Sequence, residues 1–152
     1  MKTSQNSFKL RKSEIIRGYS SFTKILNSNK YFSAGILTGL LAKAENGNSE
    51  TNYFNPLSSK SLKVGFIISK RKFGRAVLRN RIRRIIKEAY RLNRSELSGK
   101  LDTACDSAIL IGVKENEVKR LIENDALNYV SFVNDMKLLL NKVSEYLNTI
   151  KN

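Results

Sequence analysis

Between residues 75 and 94 the chain carries Arg75, Arg79, Arg81, Arg83, Arg84, Lys87, Arg91 and Arg94, with Glu88 as the one acid among them. Guanidinium forks hold phosphate oxygens bidentately, so this density of arginine is suited to gripping a polyanion rather than to breaking bonds. Immediately upstream, Lys70-Arg71-Lys72-Phe73-Gly74-Arg75 sets three consecutive cations before a helix start. Backbone N–H groups and the positive end of the helix dipole favour an anion there. Asn80 adds an amide that can reach a base or a ribose.

The inventory for covalent chemistry is thin. There is no histidine, the side chain best suited to proton transfer near neutral pH. One cysteine, Cys105, without histidine gives neither a usual zinc site nor a Cys–His pair. Gly-rich phosphate loops are absent. Asp102, Asp106, Glu115 and Glu117 are the acid-rich neighbourhood, distant in sequence from the cations, and read as turn and loop solvation. Cys105 reads as a small, partly buried thiol.

The 152 residues suffice for one domain, and an apolar fraction of 41% is globular. The net charge of +15 is far beyond what solubility requires and calls for a polyanionic partner. Its distribution is uneven. Residues 60–94 carry +12, residues 1–59 carry +5 and residues 95–152 carry −2. No apolar run is long enough to span a bilayer, and Met1 to Lys12 lacks the apolar core of a secretory signal. A lone cysteine fits a reducing compartment, so a cytoplasmic address is expected.

These cations need elements to hold them. Residues 1–9 read as a flexible arm, and Ser20 or Ser21 can cap a short helix carrying Phe22, Ile25 and Leu26. Extended structure is expected at Tyr31-Phe32 and from Ile36 to Leu41, then a long mobile loop over 43–61, which contains Pro56. Lys63 to Ser69 has strand composition. From residue 75 to 94, Leu78, Ile82, Ile85, Ile86 and Ala89 fall within roughly 100° on a helical wheel, leaving a cationic side free. A solvated helix would alternate its signs to gain i,i+4 pairs, and this one does not. Ser107 to Val113 reads as a strand buried on both faces. Val118 to Ile122 has helical character, and a long amphipathic helix carries Tyr129, Val133, Met136, Leu140, Val143, Leu147 and Ile150. The whole is read as a single domain over 1–152 with a polyanion-binding face.

The stretch VGFIISKRKFGRAVLRNRIRRIIKEAY strongly resembles the protein component of bacterial ribonuclease P. That family is marked by a strand ending in Ser-Lys-Lys/Arg, a short turn, and an Arg-Asn-Arg helix with further cations and a following acid. Here these are Ser69-Lys70-Arg71, Arg79-Asn80-Arg81, Arg83-Arg84 and Glu88. Leu10-Arg11-Lys12 followed by Phe22 is similar to the family's basic start and first-helix phenylalanine. Leu26, Gly39-Leu40, the long 43–61 segment and Gly112-Val113 depart from the family pattern.

The resemblance implies an α+β fold, a two-layer α-β sandwich of order αβββαβα with a left-handed crossover. It implies that Lys70, Arg71, Lys72, Arg79, Asn80, Arg81, Arg83, Arg84 and Lys87 contact RNA, with Arg75 and Arg91 continuing that surface. Phe22, Arg11 and Lys12 would line a cleft for the single-stranded 5′ leader of precursor tRNA. The partners would be the catalytic RNA, one protein per RNA, and precursor tRNA, without DNA or membrane. The protein would bind no cofactor itself, and magnesium would act with the RNA subunit, leaving no catalytic residue in this chain. From the residues alone, three competitors stand: another structured-RNA-binding protein such as a ribosomal one, a DNA-binding regulator, and a carboxylate-based nuclease.

Overall fold

The computed structural model describes residues 10, 15–16, 30–43, 63–94 and 107–151. Strands β1 (Lys30–Ala34) and β2 (Leu37–Lys43) form an antiparallel hairpin. β3 (Lys63–Phe66) precedes helix α1 (Ala76–Asn93), and β4 (Ser107–Val113) precedes helices α2 (Glu115–Glu123) and α3 (Val130–Lys151). The sheet order is β1-β2-β4-β3, with β4 antiparallel to β2 and parallel to β3.

A parallel pair cannot be joined by a tight turn, so the β3–β4 connection must cross over, and α1 lies within it. This position makes α1 part of the core rather than an appendage. β4 sits between two strands and is buried from Ala108 to Gly112, which is why its sequence is continuously apolar.

Successive strand residues point to opposite faces. Ile109 and Ile111 join the larger core with Leu37, Leu41, Val64 and Phe66 from the sheet. Ile82, Ile86, Ala89 and Tyr90 of α1, Val118 of α2, and Phe132, Met136, Leu139, Leu140 and Val143 of α3 complete it. Ala108 and Leu110 form a second cluster with Ile16 and half-buried Leu40. The Ile16 N–H donates to the Val64 carbonyl at 2.8 Å, so the early chain runs beside the β3 edge.

The two-residue hairpin turn depends on Gly35, whose φ of +56° is accessible to glycine without penalty. The next N–H, of Ile36, donates to Asp135 Oδ2 of α3 at 3.0 Å. A Cβ on Gly35 would collide with that same carboxylate. Gly39 permits a second close approach, since a Cβ there would lie 3.3 Å from Leu139 Cδ1. Together they let α3 lie flat on β1 and β2.

Several expectations hold in detail. β4 has the expected limits, and α1 runs from 76 to 93 with Arg75 and Arg94 as its caps. The segment around Val118 is a full helix. Others need correction. β3 ends at Phe66 rather than Ser69, because after one more ladder bond (Ile67 N–H to the Ile111 carbonyl, 2.9 Å) the chain turns. Lys43, expected in a loop, ends β2. The buried arc of α3 is wider than its predicted stripe and includes Phe132 and Leu139, because this helix packs on both the sheet and α1. The arm at 1–9, the first helix with Phe22 and Leu26, and the rest of the 43–61 segment lie outside the described residues.

Gly35→Ala is expected to destabilise the protein by about 2 kcal/mol through left-handed backbone strain and displacement of Asp135. Urea denaturation measures this, and an unchanged midpoint would contradict the role given to the hairpin turn.

Candidate nucleic-acid interface

α1 is anchored by its underside. Ile82, Ile86 and Ala89 are fully buried, and Tyr90 packs edge-on against Phe66 with ring centroids 5.9 Å apart. Asn93 is buried too, its amide nitrogen donating to the Ala89 carbonyl at 2.7 Å. The opposite side is polar. Asn80, Arg84, Lys87 and Arg91 fall within roughly 60° of one another, with Arg83 at the rim of that arc. Between residues 80 and 91 this face extends about 16 Å along the axis.

The upstream cations are presented by a closed turn. The Phe73 N–H donates to the Ser69 carbonyl at 3.0 Å, and the Phe73 side chain is only 3% exposed. Phe73 therefore plugs the core while Lys70, Arg71 and Lys72 stay exposed above it. Arg75 caps α1 in an extended conformation, without a side-chain bond to the open N–H groups, and the first turn has no acid. The helix start thus retains its positive end next to Lys72 and Arg75.

Not every expected contact residue is equally available. Arg79 Nη1 donates to the Phe73 and Gly74 carbonyls, each at 2.8 Å. Arg81 Nη2 donates to the Leu127 carbonyl in the α2–α3 connection at 2.9 Å. Arg83 Nη1 donates to Asn80 Oδ1 at 3.2 Å. Arg91 forms a bidentate pair with Glu88, through Nη2 at 2.6 Å and Nε at 3.0 Å. By contrast, Lys70, Arg71, Lys72, Arg75, Arg84 and Lys87 have no hydrogen-bond or ion-pair partner among the described residues. At about 100° per residue Arg79 falls at the edge of the cationic side, about 20° from Ile86. The structure turns it back towards the chain, half-buried.

Phe22, Arg11 and Lys12 lie outside the described residues, as do Asp102, Cys105 and Asp106. Glu115 and Glu117 sit in the first turn of α2, where carboxylates complement the helix dipole. Glu115 pairs with Lys119, and Glu117 with Arg120 at 3.7 Å. Among the described residues no group of acids and thiols gathers as a metal site. No described helix is long and apolar enough to cross a membrane.

Sequence reasoning missed Phe73, whose signal was an aromatic ring inside a run of cations. It missed the internal bonds of Arg79 and Arg81 altogether, because side-chain direction beyond Cβ carries no sequence pattern.

The Arg91 fork, chiefly by hydrogen bonding, holds the Glu88 carboxyl below the ordinary 4.5. Such a carboxyl contributes stability above its unfolded value and loses it as pH falls through the lower, folded one. Carbon-detected NMR should show Glu88 titrating below 4.5 and returning towards that value in Arg91→Ala. An identical titration in both proteins would contradict the pairing.

Comparison with known proteins converges on one family. A family model described as Ribonuclease P matches residues 10–121. The ribonuclease P protein component of Clostridium novyi (strain NT) is 33% identical over 93 residues, covering 61% of this chain and 72% of that protein. The corresponding component of Desulforapulum autotrophicum is 34% identical over 101 residues, covering 63% and 70%. The structure of the Staphylococcus aureus RNase P protein superposes with a TM-score of 0.58 over 86% of this chain and 94% of that one, at 15% identity. The cationic helix, its presenting turn and the α+β fold around them thus belong to a member of the ribonuclease P protein family.

Proposed function

We propose that this chain is the protein subunit of a ribonuclease P, binding the catalytic RNA and the 5′ leader of precursor tRNA to promote tRNA 5′-end maturation. The observation that carries the reading is the group of six cations, Lys70, Arg71, Lys72, Arg75, Arg84 and Lys87, without a protein partner among the described residues. Cations left unpaired on a protein of net charge +15 are neutralised by an external polyanion, and family membership names RNA as that polyanion. Asn80, Arg83 and Arg91 border the same face and complete it.

In this reading one protein joins one RNA in the cytoplasm. Hydrolysis of the leader phosphodiester takes place on the RNA subunit with magnesium, and no side chain of this chain transfers a proton or binds the metal. The protein's cations lower the repulsion between two polyanions brought together. Arg11, Lys12 and Phe22 are assigned to the leader, where an aromatic ring can stack on an unpaired base. Sequence-specific reading of a DNA duplex is disfavoured by the packing of α1, whose buried underside ties it to the sheet and α3 instead of a groove-projecting pair of helices.

Purified protein mixed with ribonuclease P RNA at low magnesium should release the 5′ leader of a precursor tRNA under conditions where neither component does so alone. In a salt series, Arg84→Ala and Lys87→Ala should each reduce the slope of log affinity against log salt by about 0.7–0.9. RNA binding without stimulated cleavage would move the chain to another ribonucleoprotein role, and unchanged slopes would remove α1 from the RNA interface.

A further inference from the structure

Among the described residues the cations of α1 fall into three kinds: Arg84 and Lys87 have no partner, Arg83 and Arg91 bond the side chains of Asn80 and Glu88, and Arg79 and Arg81 are committed to backbone carbonyls, Arg79 most clearly. One nitrogen, Nη1, bridges two successive carbonyls, of Phe73 and Gly74, each at 2.8 Å. These carbonyls immediately follow the Lys70–Lys72 tip. On the wheel Arg79 lies about 100° from Asn80, towards the buried side of the helix rather than beside Arg84 and Lys87.

We propose that Arg79 is a positioning residue: it clamps the turn that presents Lys70, Arg71 and Lys72 to RNA, and is not itself a principal phosphate contact. The inference rests on the reading that α1 and this turn bind RNA. Three adjacent cations repel one another and favour an opened turn. Three hydrogen bonds oppose that opening, the Ser69–Phe73 backbone bond and the two of the Arg79 clamp, and the buried Phe73 ring anchors the segment they hold. A guanidinium suits this use because its planar N–H groups keep a fixed geometry towards the carbonyls. Removing it leaves the three cations in the sequence but not in one arrangement.

The test is a double-mutant cycle read by affinity for ribonuclease P RNA. Arg79→Ala is made in the natural chain and in a chain carrying Lys70→Ala, Arg71→Ala and Lys72→Ala, with Arg84→Ala in both as a direct-contact control. In the natural chain Arg79→Ala is expected to weaken binding about ten-fold, the scale of a lost charge-assisted hydrogen bond. Without the turn cations the same substitution should cost about two-fold or less. General loss of folding would weaken both backgrounds alike, so this coupling reports positioning. Hydrogen exchange at the Phe73 amide should accelerate in Arg79→Ala while the amides of Ile82 and Ile86 keep their protection. If Arg79→Ala does not fold, Arg79→Gln, too short to bridge both carbonyls, is expected to give the same cycle.

Equal losses in both backgrounds would make Arg79 an RNA contact in its own right and overturn the inference, as would no loss in the natural chain. Arg84→Ala should lower affinity in both backgrounds. No effect of that control would defeat the RNA-surface reading itself, and the positioning role with it.

Discussion

The structure depends on holding like charges together on one helix. In α1, Arg79 with Arg83, Arg83 with Lys87 and Lys87 with Arg91 are i,i+4 pairs of the same sign, each unfavourable by about 0.2–0.5 kcal/mol. Glu88 relieves this only locally, through Arg91. Full burial of Ile82 and Ile86 supplies about 1.5–3 kcal/mol each, so the apolar underside outweighs the repulsion. That underside exists because α1 is wedged between β3 and α3 in the crossover. A free helix of this sequence would have no such compensation. The fold therefore does what a basic peptide cannot: it holds an arginine-rich face in helical order by its buried underside.

The same logic extends to the turn before α1. A run of three cations is ordinarily a place where the chain opens to solvent. Here an aromatic plug lies beneath it and an arginine from the first turn of the helix grips it from the side. The α2–α3 connection is tied to α1 in a similar way, by Arg81 on the Leu127 carbonyl. Some members of the Arg-Asn-Arg run thus act on the protein's own carbonyls, while Arg84 and Lys87 remain outward. A motif that looks uniform in sequence divides its labour in three dimensions.

Much of this could be read in advance where a period or a composition carried it. The 3.6-residue spacing of Leu78, Ile82, Ile85, Ile86 and Ala89 located α1 to within a residue, and the unbroken apolar run at 107–113 located the central strand. What escaped depended on contacts between distant parts of the chain. The full arc of α3 needed knowledge that two surfaces pack against it, and the end of β3 needed the position of Ile111. The charge of Arg79 was plain in the sequence. Its direction was not, because the carbonyls it meets belong to a turn whose closure depends on Phe73 reaching the core.

The most direct test of the central claim, that the cationic face of α1 meets RNA, is site-directed radical cleavage. An iron chelate would be attached through Arg84→Cys or, as control, Leu138→Cys, each in a chain with Cys105→Ser. Leu138 is exposed on the α3 face that also carries Lys142, whose Nζ reaches Ser33 of β1 at 2.6 Å, at the sheet edge opposite β3. Strand scission of ribonuclease P RNA from position 84, and little from position 138, is the expected result. Equal scission from both positions, or scission from 138 alone, would contradict the account.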